Sequence, residues 1–411
     1  MKRVLIFSLT YHPYVGGAEV AIKEITDRLD PNEYEFHMIT LRFNSALPKV
    51  EKVGNILVHR IGFATHNPKV SDRAMPLKLK VAKLLFPFTS LWHAYQLNRT
   101  YGYDAVWAMM ANYAGFGALF FKLIHGRTPL LLELQDGRAF ADMPKRQPIL
   151  WLFWPLYKRL YLKADMIKTI SHFIEREVRA IRYESPVVVI PNAVDVARFS
   201  AAVPEDELIE LKEKYGKRMG DVFLFTASRL VLSRGIEDTI RALGFLPQNV
   251  KLLIAGTGED QEKLERIAKE SNVEGRVMFA GHVDHKHLPA YYKLSDIFVR
   301  PSIIEGFGNA FVEAFAAGIP VVATPVGGIP DFLFDPDANP DMEPTGIFCK
   351  VHDPASIARA VEQYMQNAAL VSRVVRNAKE LVKEKYDWAI ITEAMKKRVF
   401  EPLVARHHPL L

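Results

Sequence analysis

Residues 305–313 read EGFGNAFVE, with Glu305 and Glu313 eight positions apart and Gly306, Phe307, Gly308 and Asn309 between them. The apolar run AFAAG follows, and a carboxylate in such company is costly unless it is hydrogen-bonded. The segment carries the signals of a short helix, with Asn309 expected as its N-cap and Gly318 and Pro320 as its stop. Gly306 and Gly308 permit a tight turn with accessible backbone N–H groups, and a helix N-terminus carries partial positive charge. That combination suits a phosphate or diphosphate. Glu313, one turn inside the helix, is satisfied equally by the vicinal hydroxyls of a ribose or by a buried Arg or Lys.

Three further groups have types and spacings that bear on chemistry. SRLVLSRG places Arg229 and Arg234 five apart in a strand-to-helix turn, where two guanidiniums can clamp a diphosphate or stand as solvated charges. GGAEV puts Gly16 and Gly17 after the first strand, allowing close backbone approach to a ligand or simply a tight turn; GTG at 256–258 reads the same way. His12 lies close enough to the glycine pair to reach the same place, whereas His172 reads as a surface residue. HVDHKH (282–287) sits in a polar loop and reads as surface histidines rather than a metal tract. In FDPDANPDMEPTG (334–346) the two aspartates of DPD read as a solvated turn, since no further ligand completes an oxygen cage.

These residues need strands and helices to position them. RVLIFSL, EFHMITL, ILVHRI, DAVWAMM, PLLLELQ, MIKTI and VVVI alternate with helical stretches in the first half; VFLFTAS, KLLIAG, RVMFAG, DIFVRP and PVVATP do so in the second. Apolar strands alternating with helices predict an α/β protein with two parallel, doubly wound sheets and ligands at the strands' carboxyl ends. The boundary is expected within 190–207, where turn-forming residues gather, giving domains over 1–192 and 193–387. The opening MKRVLIFSLTYHPYVGG has too short an apolar run for an export signal and reads as a buried strand. No run of residues is long and apolar enough to span a membrane.

The chain has 411 residues, a net charge of +6 and a single cysteine, Cys349, which excludes an intramolecular disulfide and fits a reducing compartment. The charge is uneven: residues 1–190 hold 26 Lys/Arg against 16 Asp/Glu, so the first half favours an anionic partner. Two stretches, 78–95 and 145–163, mix Lys and Arg with Trp, Tyr and Phe. They suit an anionic membrane surface, or packing on the first sheet with their cationic ends in water. No nucleic-acid reader motif accompanies the charge.

Taken together, SRLVLSRG, EGFGNAFVE, PVVATPVGGIP, PNAVDVARF and GGAE resemble the family 4 retaining glycosyltransferases of the GT-B fold, in the family's order and over nearly the whole chain. The match is dense in the second half and diffuse in the first. The resemblance implies two Rossmann-like domains facing across a cleft, with a last helix (about 388–411) packing back on the first domain. It implies transfer of a hexosyl group, with retention and without a metal cofactor, from a UDP- or GDP-sugar to a glycan or lipid-linked acceptor. Cell-surface polysaccharide or glycolipid synthesis in the cytoplasm, or on the inner face of the plasma membrane, is the implied setting.

By the same resemblance Arg229 and Arg234 hold the donor diphosphate and Glu305 contacts the donor sugar, all three serving catalysis. Glu313 takes the ribose hydroxyls, Phe307, Gly308 and Asn309 offer backbone N–H groups, and Gly16 and Gly17 approach the phosphates. Three departures stand out, one of them WAMMAN (107–112), where the family commonly has a His-rich strand end. Arg234 occupies the family's usual lysine position, and LELQDG puts Gln135, beside Asp136, where many members have a histidine, so Gln135 and Asp136 are candidates for sugar or acceptor contact. The rival readings are a non-catalytic sugar-nucleotide or glycan-binding protein of the same fold, and a GT-B-type sugar-nucleotide epimerase.

Overall fold

A computed structural model describes residues 1–14, 16–68, 75–138 and 154–407. The chain divides into two compact units, Met1–Asn192 with Trp388–Leu411, and Ala193–Asp387.

The first unit is built on an eight-stranded sheet ordered β3-β4-β2-β1-β5-β6-β7-β8. Its strands are β1 (Lys2–Phe7), β2 (Tyr34–Leu41), β3 (Val50–Val53), β4 (Ile56–Ile61), β5 (Ala105–Met109), β6 (Leu130–Leu134), β7 (Met166–Thr169) and β8 (Val187–Val189). All pair in parallel except the edge strand β3, antiparallel to β4. β3 was not expected, because VEKV is too short and too charged to stand out; it exists as the return arm of a hairpin through Gly54 and Asn55. β1 and β5 are buried along nearly their whole length, as strands covered on both faces must be. The helices α1 (Gly17–Arg28), α2 (Leu77–Tyr101) and α3 (Tyr113–Ile124) belong to this unit. The C-terminal segment also packs here: Phe400 lies against Trp107, Tyr34 and Phe36, and Lys396 pairs with Glu33 at 2.6 Å.

The second unit has a six-stranded, all-parallel sheet ordered β11-β10-β9-β12-β13-β14. Its strands are β9 (Val222–Ala227), β10 (Val250–Ala255), β11 (Val277–Gly281), β12 (Ile297–Arg300), β13 (Val321–Ala323) and β14 (Ile347–Phe348). The core beneath it is aliphatic, with Leu224, Leu252, Ile254, Val299 and Val322 fully buried. In each unit the strand order reverses about one position, between β1 and β5 in the first and between β9 and β12 in the second. Loops leaving such a pair of strands diverge to opposite faces, which opens a crevice at their carboxyl ends.

Two expectations are corrected. The helix α4 (Asn309–Ala317) begins at Asn309, and its N-cap is Gly308, at φ +100°, not Asn309. A side chain at residue 308 would carry a Cβ 2.5 Å from the Phe311 ring, so glycine is required there and the helix begins one residue earlier than expected. The DPD turn is not solvated at its first aspartate. Asp335 is buried and accepts the backbone N–H groups of Asp337, Ala338 and Phe348, organising the loop from inside. Of the two basic-aromatic stretches, residues 145–153 lie outside the described residues; Trp154–Leu162 is helical, with Tyr157, Leu160 and Tyr161 buried.

Candidate active site

The loops that leave β9 and β12 carry the residues singled out by spacing. After β9 the chain makes one tight turn at Leu232–Arg234, and after β12 it runs through 301–308 to the start of α4. Across this switch point the Arg234 Nη1 donates to Glu305 Oε2 at 2.7 Å and to the Ile304 carbonyl at 3.1 Å. The same Glu305 oxygen accepts from Arg300 Nη2 at 2.8 Å. Glu305 is thus a buried carboxylate held between two guanidiniums.

Arg300 was not anticipated. It ends the apolar strand IFVR, is 5% exposed, and lies 4.2 Å from the Phe311 ring centroid while its Nη1 donates to the Ala227 carbonyl at 3.2 Å. Burial pushes its guanidinium pKa down, and Glu305 beside it pulls back up. A charged residue closing a run of buried strand residues was the available signal. The loop is fixed from behind by PVGG: Gly327, at φ +57°, lies so close that a Cβ would sit 1.7 Å from the Glu305 carbonyl oxygen. Gly328 N–H donates to that oxygen at 3.3 Å.

Among the described residues Glu313 pairs with no Arg or Lys. Tyr292, on the helix Leu288–Leu294 that precedes β12, donates its hydroxyl to Glu313 Oε2 at 2.9 Å, and His285 Nε2 stands 3.3 Å from Oε1. Burial holds the Tyr292 phenol protonated, well above its ordinary range, and the adjacent Glu313 carboxylate reinforces this. His285 comes from the HVDHKH loop, so that tract is not merely surface as expected; its Nε2 faces the carboxylate while 40% of the side chain stays exposed. With one partner on each oxygen, Glu313 keeps acceptor capacity on both.

The other candidates fall into distinct places. Arg229 is exposed, and among the described residues no hydrogen bond or ion pair holds its side chain. Phe307 is a core side chain packed on Phe332 and Tyr386, so only its backbone is available to a ligand. In the first unit Gly16 and Gly17 open α1 and are both exposed; Gly16 N–H already donates to Glu19 Oε2 at 2.8 Å. Gln135 donates to Glu133 Oε1 at 2.7 Å and accepts from Asn192 Nδ2 at 3.1 Å, while Asp136 pairs with Arg138. Glu133 is itself fully buried, bonded by Lys168 at 2.5 Å from the neighbouring strand and by Trp107 Nε1 at 2.9 Å. The spacing of LELQ and MIKT did not reveal that cross-strand pair. His12 is half-buried, with its Nε2 lacking a hydrogen-bond partner, and burial pushes its pKa down. His172 is exposed and faces Glu175 at 3.0 Å.

The arrangement offers fixed cations, a helix N-terminus and two hydrogen-bonded carboxylates around the ends of two parallel strands. That is chemistry for binding a polyanion and stabilising negative charge as it develops. Among the described residues the one group whose atoms could also hold a metal is Glu237, Asp238 and His352, all within 4.8 Å of one another.

Solved structures with this architecture include sucrose-phosphate synthase from Thermosynechococcus elongatus (TM-score 0.80, 19% identity, 98% of this chain and 100% of that one). HepE from Anabaena, solved with UDP-glucose, superposes with a TM-score of 0.76 at 18% identity, over 98% of this chain and 100% of that one. The fold class is GT-B. An uncharacterized glycosyltransferase of Methanocaldococcus jannaschii is 28% identical over 94% of this chain and 95% of its own length. Residues 15–198 match the description Glycosyltransferase Family 4, and residues 209–381 match Glycosyl transferases group 1. The chain belongs to the family 4 glycosyltransferases.

Proposed function

We propose that this glycosyltransferase moves a hexosyl group from a UDP- or GDP-sugar to a glycan or lipid-linked acceptor, with retention and without a metal, in the making of surface polysaccharide or glycolipid. The observation that carries the reading is the Arg234–Glu305–Arg300 cluster at the β9/β12 switch point, beside the N-terminus of α4. Arg229, exposed and unheld, is free to meet a diphosphate; Arg234 reaches the same ligand while Glu305 fixes its direction. Their charge stabilises the departing nucleoside diphosphate, the part a metal would otherwise take. Glu313 accepts the two ribose hydroxyls, one on each oxygen. Phe307, Gly308 and Asn309 offer backbone N–H groups, Gly16 and Gly17 approach the phosphates, and Gln135 and Asp136 contact sugar or acceptor. Retention follows if the acceptor attacks on the face from which the phosphate leaves, the phosphate oxygen taking its proton.

UDP-glucose is the first donor to test, since HepE was solved with it. Turnover and thermal shift are measured with UDP- and GDP-hexoses, with and without EDTA. One nucleotide class is expected to raise the melting temperature, independently of EDTA. Arg229→Ala and Glu313→Ala are expected to cut kcat/KM by about a hundredfold or more, as lost charge-stabilising contacts do. Arg229→Ala should leave the unliganded melting temperature unchanged, because that side chain holds nothing in the fold. Unchanged transfer in both variants refutes the site; activity abolished by EDTA refutes metal independence and turns attention to Glu237, Asp238 and His352.

A further inference from the structure

The helix α2 is apolar on two opposite sides, and only one of them is covered. Leu79, Ala82, Phe86, Ser90 and Ala94 form the buried stripe against the first unit. On the other side Leu77, Val81, Leu84, Phe88, Trp92 and Tyr95 recur at steps of three and four and are all exposed, Leu84, Phe88 and Trp92 by 60% or more. A helix on the surface of a globular protein normally turns polar residues to that side. The apolar surface continues beyond α2. Phe88 stacks on Phe120 at 5.6 Å and Tyr95 lies 6.1 Å from His125, which brings in the end of α3, where Leu123 and Ile124 are 54% and 60% exposed.

The charge on this helix has one sign. No Asp or Glu occurs in α2. At 100° per residue Lys78 and Lys80 fall on either flank of the exposed stripe, with the Lys78 ammonium 6.0 Å from the ring of half-exposed Phe63. From Lys52 to Arg127 the chain carries ten Lys/Arg and only Asp72 and Asp104 against them. Apolar and aromatic side chains in the middle, lysines at the rim and no carboxylates among them is the layout that lies in a lipid headgroup layer. Among the described residues no helix is long and apolar enough to cross a membrane, so the mode is attachment along the surface.

We infer that the exposed stripe of α2, with the end of α3, docks on an anionic lipid bilayer. The aromatic and aliphatic residues enter the interface, and Lys78 and Lys80 meet the lipid phosphates. This does not depend on the donor assignment, since binding is read without turnover.

The test is co-sedimentation of the full chain with vesicles of phosphatidylcholine alone and of phosphatidylcholine with phosphatidylglycerol. The protein should partition to the anionic vesicles at least about tenfold more strongly, falling as salt rises. Leu84→Ser with Trp92→Ser should lower that partitioning by about tenfold or more, and Lys78→Gln with Lys80→Gln should lower it on anionic vesicles only. Because Leu84 and Trp92 are 60% or more exposed and the lysines stand at the rim, melting temperatures should stay close to the parent's, separating lost docking from lost structure. The inference is overturned if anionic vesicles do not retain the protein, or if both double variants are retained as well as the parent. It is equally overturned if light scattering shows a dimer that Leu84→Ser with Trp92→Ser dissociates, for the stripe is then an interface between two copies.

Discussion

Replacing Arg300 by methionine tests whether the cluster at the switch point is a structural element as well as a chemical one. The guanidinium makes two polar contacts, with Glu305 Oε2 at 2.8 Å and the Ala227 carbonyl at 3.2 Å, and it lies over the Phe311 ring. Breaking a buried ion pair from one side costs about 3–5 kcal/mol when the partner is left alone. Here Glu305 retains Arg234 at 2.7 Å, and the methionine relieves the burial of a charge while filling much the same volume. The net expectation is therefore about 2–3 kcal/mol. For a unit of this size, each kcal/mol moves the melting temperature by about 2–4 °C, so the fall should be about 4–12 °C. Adding Glu305→Gln removes the carboxylate that Arg300 neutralised, so the double variant should be more stable than the sum of the singles by about 1 kcal/mol or more. Urea unfolding of the parent, both singles and the double gives the cycle. If Arg300→Met lies within about 0.5 kcal/mol of the parent, or the singles simply add, the two arginines do not share Glu305 and the geometry of the cluster is wrong.

Two other outcomes follow from single residues. Burial pushes His59 down to about 4, so its neutral form is favoured by folding. The unfolded chain then binds the extra proton between pH 6.5 and about 4, and stability is full above that window and falls as pH drops through it. Since His59 is only partly buried, the loss is about 1–2 kcal/mol after screening, and His59→Gln should reduce the difference between urea midpoints at pH 7.5 and 4.5. At Gly308 a Cβ meets the Phe311 ring at 2.5 Å with φ at +100°, so Gly308→Ala should cost about 2–4 kcal/mol in thermal unfolding and weaken donor binding, because the start of α4 must shift. An alanine variant with parent stability would show that the turn is not fixed as described.

Much of the fold was legible because local pattern and final environment agree. Strands such as AVWAM and VFLFTA are continuous apolar runs between turns, and a parallel sheet covered on both faces is the environment that such runs require. Edge pieces without that signature, VEKV and the two-residue β14, are strands only because a neighbour pairs with them. Glycine spacing around Glu305 pointed to a tight turn ahead of a helix, but which residue caps it was a steric matter between Gly308 and Phe311. Asn309 is a good N-cap by propensity and lost to that contact.

By itself the sequence determined the class of fold, the family and the identity of Arg229, Arg234, Glu305 and Glu313 as the groups to watch, since residue type and local spacing carry that information. Only tertiary structure decided their partners. Arg300 lies five residues from Glu305 and Arg234 lies 71 away, yet both meet one oxygen of it, because β9 and β12 are neighbours at the point where the strand order reverses. Glu313 took Tyr292 and His285 rather than a cation, because the helix preceding β12 and the loop before it fold over α4. Hydrogen-bond partnership depends on which strands become adjacent, and adjacency is settled by burying apolar surface over the whole unit rather than by any local stretch.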